Sequence, residues 1–203
     1  MINIVNYSDN NKQGAVQGLV VYFANHLAHP QPTINLKYNT DGHPEYGSPD
    51  TNKDLNSALR TAKRIFAKNG YRLKTEKVHG VQGHTLEKNE AFLNIVGEGQ
   101  FVGNAPLNGY GQLDQYMTYV TTTDKGVFTF SNYQIGYTIA HETWHQIYNK
   151  AQLFYNHTLI HEGTGHHDNS VNNLNRAASY DSEMILPYQN NIVNHYLNDK
   201  WAK

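Results

Sequence analysis

One stretch of the chain predicts both a long helix and a metal site: residues 133–151, which read YQIGYTIAHETWHQIYNKA. Its apolar side chains recur at the spacing of a helix that packs against a sheet. Near its middle, a glutamate follows the first of two histidines that are four residues apart: His141, Glu142 and His145. Side chains four residues apart lie on one face of a helix, so both imidazoles can reach a single ion. The pattern HExxH therefore predicts a metal site on a buried helix.

Zinc is the metal that this motif predicts. Iron sites built from two histidines and one carboxylate need a ligand spacing that does not occur in this chain. A catalytic zinc has three protein ligands and keeps an open position for water. Glu142 is placed to meet that water rather than the ion, so we expect it to act as a general base. We expect one Zn²⁺ per chain, held by His141, His145 and a third residue.

The third ligand is not decided by the motif itself. The chain has 12 histidines, and several of them lie just downstream, where residues 161–170 read HEGTGHHDNS. Imidazole is the most common metal ligand, and a carboxylate is the alternative. The downstream candidates are His157, His161, Glu162, His166, His167 and Glu183.

Before the motif, the pattern of apolar residues predicts a sheet and one helix. Period-two alternation or β-branched and aromatic residues predict strands over residues 34–38, 71–78, 91–96 and 115–122. An apolar run at residues 18–24 predicts a further strand or a short helix. Between the first two of the four strands, Asp50 or Thr51 can cap a helix that ends at Asn69-Gly70.

Capping residues also predict where the motif helix and the last helix begin. Ser131 or Asn132 is the expected N-cap of the motif helix. Pro187, which fits the first turn of a helix, predicts a C-terminal helix over residues 186–197.

Length, charge and composition exclude several classes of protein. A chain of 203 residues corresponds to about one domain. The absence of cysteine excludes a disulfide framework and a thiolate nucleophile. A net charge of −1 argues against a nucleic-acid partner, and no apolar stretch is long enough to span a membrane. No signal peptide is visible at the N-terminus, and we expect a monomer.

Several segments together resemble the metzincin zinc peptidases. Residues 163–169, GTGHHDN, are similar to the matrixin-type ending in which a glycine turn delivers the third histidine, which implies His166 as the ligand. Ser182-Glu-Met184 resembles the start of a methionine turn, and Tyr188 is then a candidate transition-state stabiliser or a buried structural tyrosine. The spacing departs from the family, because His166 follows His145 by 21 residues (166 − 145).

The resemblance implies an α+β fold of zincin type. We expect a single catalytic domain over residues 1–203, with a twisted mixed β-sheet packed on a long helix and on the motif helix. The sheet and the motif helix would occupy about residues 1–148. A small C-terminal subdomain with the third ligand and a closing helix would occupy about residues 149–203.

The expected activity is that of a zinc endopeptidase acting on a protein or peptide. An extended substrate would pair with an edge strand near residues 115–122. We expect secretion or delivery outside the producing cell. Two alternatives stay open: a delivered toxin or effector that acts on one host protein, and a protein with a purely structural zinc.

Overall fold

The computed structural model of the chain describes residues 31–80, 87–99, 118–124, 128–155, 173–174 and 182–199. From Pro32 onward, these residues belong to one compact unit. The element predicted at residues 18–24 lies outside the described residues, as do the first three residues of the strand predicted at 115–122.

A five-stranded mixed sheet forms one layer of this unit, with the strands in the order β2-β1-β3-β4-β5. The strands are β1 (Thr33–Asn39), β2 (Arg72–Lys77), β3 (Glu90–Gly99), β4 (Tyr119–Asp124) and β5 (Phe128–Thr129). The first four run parallel, and β5 pairs antiparallel with the end of β4. Four strands and a mixed sheet were expected from the sequence, and both expectations are confirmed. The short strand β5 was not predicted.

Within the part of the chain that the structure describes, three helices accompany the sheet: α1 (Leu55–Lys68), α2 (Asn132–Phe154) and α3 (Pro187–Asn198). The apolar face predicted for α1 is confirmed, and Asn69 and Gly70 end the helix as expected. The predicted N-cap was wrong. The Asp54 side chain caps the helix by accepting from the Ser57 N–H, whereas Asp50 Oδ1 accepts from the Asn52 N–H in the turn before it.

The N-terminus of α2 is closed by Ser131, one of the two predicted caps. The Gln134 N–H donates to Ser131 Oγ over 3.2 Å, and the Ser131 N–H donates to Gln134 Oε1 over 2.9 Å. This reciprocal pair is a capping box, which satisfies two backbone donors at the helix start. The chain therefore enters α2 at a defined residue, ten positions before the motif.

The hydrophobic core lies between the sheet and the helices. Strands β1 and β3 contribute Ile34, Leu36, Leu93 and Ile95, and α2 contributes Ile139, Trp144 and Ile147. Gly136 lies against α1 so closely that a Cβ there would be 2.4 Å from the Ala58 carbonyl oxygen. The helix α2 packs against α1, α3 and strands β3 and β4, and all its residues from 135 to 149 are buried.

Among the described helices, none is long and apolar enough to cross a membrane. The described residues thus form a mixed α/β unit in which α2 is the central helix, and α2 is the element that carries the HExxH motif.

Candidate metal centre

His141, Glu142 and His145 lie in one buried turn of α2, with 7%, 3% and 8% of their surfaces exposed. The Nε2 atoms of the two histidines are 2.9 Å apart. Two nitrogens bound tetrahedrally to one zinc, each at 2.0–2.1 Å, are about 3.3 Å apart, so this pair needs only a small adjustment to share an ion. Among the described residues, these three form the one group of histidine and carboxylate ligand atoms close enough to do so.

The ring of His141 is oriented by a backbone carbonyl from a distant part of the chain. His141 Nδ1 is 2.5 Å from the Leu174 oxygen, and because a carbonyl can only accept, Nδ1 must carry the proton. In the neutral ring, Nε2 then holds the lone pair that a metal needs. A hydrogen bond of this kind behind a ligating histidine is the usual way in which proteins orient that ligand.

Glu142 is enclosed without a direct partner for one of its oxygens. Its Oε1 is 3.7 Å from His141 Nε2, which is too long for a hydrogen bond. Its Oε2 is buried and has no hydrogen-bond partner among the described residues. Burial raises the pKa of Glu142 well above that of an ordinary glutamate. A carboxyl group with a raised pKa beside two histidines that can share a metal ion is suited to taking up a proton.

Two polar side chains of α2 attach this turn to the sheet. The Gln146 amide accepts from the Phe92 N–H over 2.9 Å and donates to the Phe92 carbonyl over 2.7 Å. It also donates to Thr118 Oγ1, just before β4. One turn later, Lys150 Nζ donates to the backbone oxygens of Glu87 and Glu90. These bonds hold the helix against β3 and β4 at the level of His145.

Most candidates for the third ligand lie outside the described residues: His157, His161, Glu162, His166 and His167. The chain does return to the site shortly after them. Leu174, whose carbonyl contacts His141, follows His167 by seven residues (174 − 167).

Glu183, the other candidate, is described, and its carboxylate is bound to cations. It accepts from Arg64 over 2.8 Å, from Lys68 over 3.0 Å and from the Tyr133 hydroxyl over 3.1 Å. The bond from Arg64 is the main cause that lowers the pKa of Glu183 to about 2. Among the described residues, it does not belong to the ligand group around the two histidines.

Met184 reaches the site through its backbone, since its side chain is 51% exposed and its carbonyl accepts from the Leu174 N–H over 2.6 Å. The resemblance to a methionine turn implies that the Met184 side chain forms an apolar floor beneath the metal ligands, and the described residues do not show it there. Tyr188 lies in the first turn of α3 and is also exposed. The alternative that Tyr188 is a buried structural tyrosine is therefore wrong. Its suggested role with substrate stays a prediction.

Sequence reasoning did not identify three groups at this site: the Leu174 carbonyl, Tyr137 and Gln146. Leu174 acts through a backbone atom that every residue possesses, so no side-chain pattern marks it. A signal did exist for Tyr137, which lies four residues before His141 and therefore on the same helix face. Its hydroxyl donates to the Leu174 carbonyl over 3.2 Å.

Comparison of the chain with protein-family models, with curated proteins and with solved structures gave no match. The function must therefore be inferred from the chemistry of the site. Two buried imidazoles with converging Nε2 atoms, one of them fixed in the metal-binding tautomer, are a donor set that fits Zn²⁺.

Proposed function

We propose that the protein is a zinc-dependent endopeptidase with a fold of zincin type. The observation that carries this proposal is the convergence of the His141 and His145 Nε2 atoms beside a buried Glu142 carboxylate. HExxH motifs without a function arise by chance, but their histidines have no reason to be buried and oriented by a backbone carbonyl. The mixed sheet behind the helix supports the proposal.

In this proposal each described residue has a distinct task. His141 and His145 hold the ion through Nε2. A bound zinc would act as a Lewis acid towards a carbonyl oxygen and make water acidic near neutral pH. Glu142 accepts a proton from the attacking water and then donates it to the leaving amine of the cleaved peptide bond. Burial raises the pKa of this carboxyl group, which favours its uptake of the proton in the first step.

His166 remains our proposed third ligand, with His167 as its nearest competitor. Glu183 is less suitable, because a metal would have to displace Arg64 and Lys68 from its carboxylate. His166 and His167 precede Leu174 by a few residues, and the Leu174 carbonyl contacts His141. The position of Leu174 therefore supports a ligand from the residues shortly before it.

The substrate in this proposal is an extended peptide that binds on the β4 side of the sheet. Gln146, the neighbour of His145, donates to Thr118 just before β4, so this strand begins close to the proposed metal ligands. Backbone pairing with a strand next to a catalytic site is a common mode of peptide recognition. β5 already pairs with Thr123 and Asp124, so the peptide would bind towards the beginning of β4.

One observation favours a second candidate, a structural zinc: all three side chains of the group are buried. A structural site has four protein ligands and no open position.

A toxin or effector that acts on one host protein would retain the peptidase chemistry with a narrower substrate range. Export from the producing cell is part of both peptidase proposals.

Metal analysis of the purified protein tests the proposal at its base. We expect about one zinc per chain, and we expect His141→Ala and His145→Ala each to lose it. His195→Ala, which changes a histidine on α3, is the matched control and should retain the metal. Full zinc content in the His141→Ala/His145→Ala double variant would refute the proposal.

A further inference from the structure

Both backbone polar groups of Leu174 are hydrogen-bonded, and the carbonyl has two donors from α2. It accepts from His141 Nδ1 over 2.5 Å and from the Tyr137 hydroxyl over 3.2 Å. The N–H of the same residue donates to the Met184 carbonyl over 2.6 Å. Leu174 is fully buried, so bulk water does not compete for the hydrogen bonds of its backbone.

The Met184 side of this arrangement is anchored to α1. Asn69, the C-cap of α1, donates through Nδ2 to the Glu183 carbonyl over 2.7 Å and accepts at Oδ1 from the Ile185 N–H over 2.8 Å. One asparagine therefore binds the residues on both sides of Met184. The Glu183 carboxylate adds its bonds to Arg64 and Lys68 on the same helix.

These contacts form a continuous path of hydrogen bonds from the end of α1 to a metal-binding histidine. The path runs from Asn69 to residues 183–185, then from the Met184 carbonyl to Leu174, and from the Leu174 carbonyl to His141. Tyr137, which lies in α2 one turn before His141, donates a second hydrogen bond to the Leu174 carbonyl.

We infer that Tyr137 is a positioning residue for the metal site, acting through the Leu174 carbonyl to keep His141 protonated at Nδ1 and open at Nε2. The inference rests on the proposed function, because it concerns the ligand set of the same ion. Tyr137 would touch neither metal nor substrate. Loss of its hydroxyl frees the carbonyl to shift, and the His141 ring then loses the partner that selects its tautomer and its orientation.

The test compares two Tyr→Phe variants that each remove one hydroxyl from the core. Tyr137→Phe removes the hydroxyl that donates to the Leu174 carbonyl. Tyr71→Phe is the matched control, because Tyr71 is also buried and its hydroxyl bonds to Asn190 on α3, away from the path to His141. Zinc dissociation constants are measured by competition with a chelator, and the His141 tautomer is read from ¹⁵N chemical shifts of the zinc-free protein.

We expect Tyr137→Phe to weaken zinc binding by about tenfold, in the lower part of the range for outer hydrogen bonds of metal sites. The zinc-free variant should also lose the uniform Nδ1–H form of His141. Tyr71→Phe should leave both readouts within about twofold of the wild type while losing a similar amount of stability. Equal zinc affinities and equal tautomer populations in the two variants would overturn the inference.

Failure of the proposed function has a different signature in the same experiment. A wild-type protein that binds no zinc would refute the metal site, whereas a wild type that binds zinc with both variants unchanged would refute only the role of Tyr137. The tautomer measurement, which needs no metal, tests the hydrogen-bond path on its own.

Discussion

The Gln146 side chain binds the backbone of Phe92 at both of its polar groups, accepting from N–H over 2.9 Å and donating to C=O over 2.7 Å. A side-chain amide here takes the place of a neighbouring strand for one residue of β3. Because Gln146 directly follows His145, the same contact fixes the distance from the sheet of the turn that carries His141, Glu142 and His145.

Gln146→Met tests how much this contact contributes to stability. The substitution keeps the length of the side chain but leaves the buried N–H and C=O of Phe92 without these partners, at about 1–3 kcal/mol for each unsatisfied group. We expect the free energy of unfolding to fall by about 2–4 kcal/mol in urea denaturation. Lys63→Met, on the exposed face of α1, is the control and should change it by less than about 0.5 kcal/mol. Equal free energies of unfolding for Gln146→Met and Lys63→Met would contradict the hydrogen bonds between Gln146 and Phe92.

Gly136→Ala tests the close packing of α1 and α2. A Cβ at this position would be 2.4 Å from the Ala58 carbonyl oxygen and 2.7 Å from Thr61 Cβ. Alanine favours a helix over glycine by about 1 kcal/mol, but the clash forces the helices apart and costs about 1–3 kcal/mol beyond that gain. We therefore expect a lower melting temperature by calorimetry. A variant as stable as the wild type, or more stable, would show that the helices lie farther apart.

The pH dependence of stability tests the ion pairs of Glu183. The pKa of its carboxyl group is lowered to about 2 in the folded protein, chiefly by the bond from Arg64, whereas an unfolded glutamate titrates near 4.3. A lowered folded pKa means that this stabilisation is present above about pH 4.3 and is lost as the pH falls towards 2.

Glu183→Gln should therefore reduce stability at pH 7 by about 1 kcal/mol, because Arg64 and Lys68 are half exposed and solvent screens the pairs. Urea denaturation at pH 7 and at pH 3 measures the difference, which should shrink at the lower pH. Glu45→Gln, at an exposed position, is the control. If the stability difference between Glu183→Gln and the wild type grows as the pH falls, the ion pairs of Glu183 are contradicted.

Paired histidine variants test the third ligand. His166→Ala should weaken zinc binding by several orders of magnitude if His166 is the ligand, whereas His167→Ala should cost about 10–100-fold through outer contacts. Chelator competition measures both. The reverse order would assign the ligand to His167. Indifference of both variants would point to Glu162 or Glu183.

The sequence predicted those elements of the fold that local patterns specify. The apolar spacing in α1 placed Leu59, Ala62 and Phe66 correctly in the core. The N-cap was wrong because Asp50 and Asp54 both suit a cap, and the choice depends on a remote contact. The Asp50 N–H donates to Thr122 Oγ1, 72 residues away, which holds Asp50 in a turn before the helix.

At the candidate metal centre, the sequence predicted the three side chains that lie together but not the groups that orient them. His141, Glu142 and His145 follow from a spacing of four residues on a helix. Leu174 is brought to His141 across 33 residues by tertiary packing, and its contribution is a backbone carbonyl. Gln146 resembles any polar residue beside a motif, and only the position of β3 shows what its amide binds.

Peptide cleavage by Glu142→Gln tests the central claim most directly, because this change removes the proton acceptor and keeps the shape of the side chain. Zinc content and melting temperature should stay nearly equal to those of the wild type. Hydrolysis of a mixed peptide library, followed as new N-termini by mass spectrometry, should fall by at least about 10²–10⁴-fold. Equal cleavage by both proteins would show that Glu142 is not the base, and no cleavage by a fully zinc-loaded wild type would contradict the peptidase account in favour of a structural zinc.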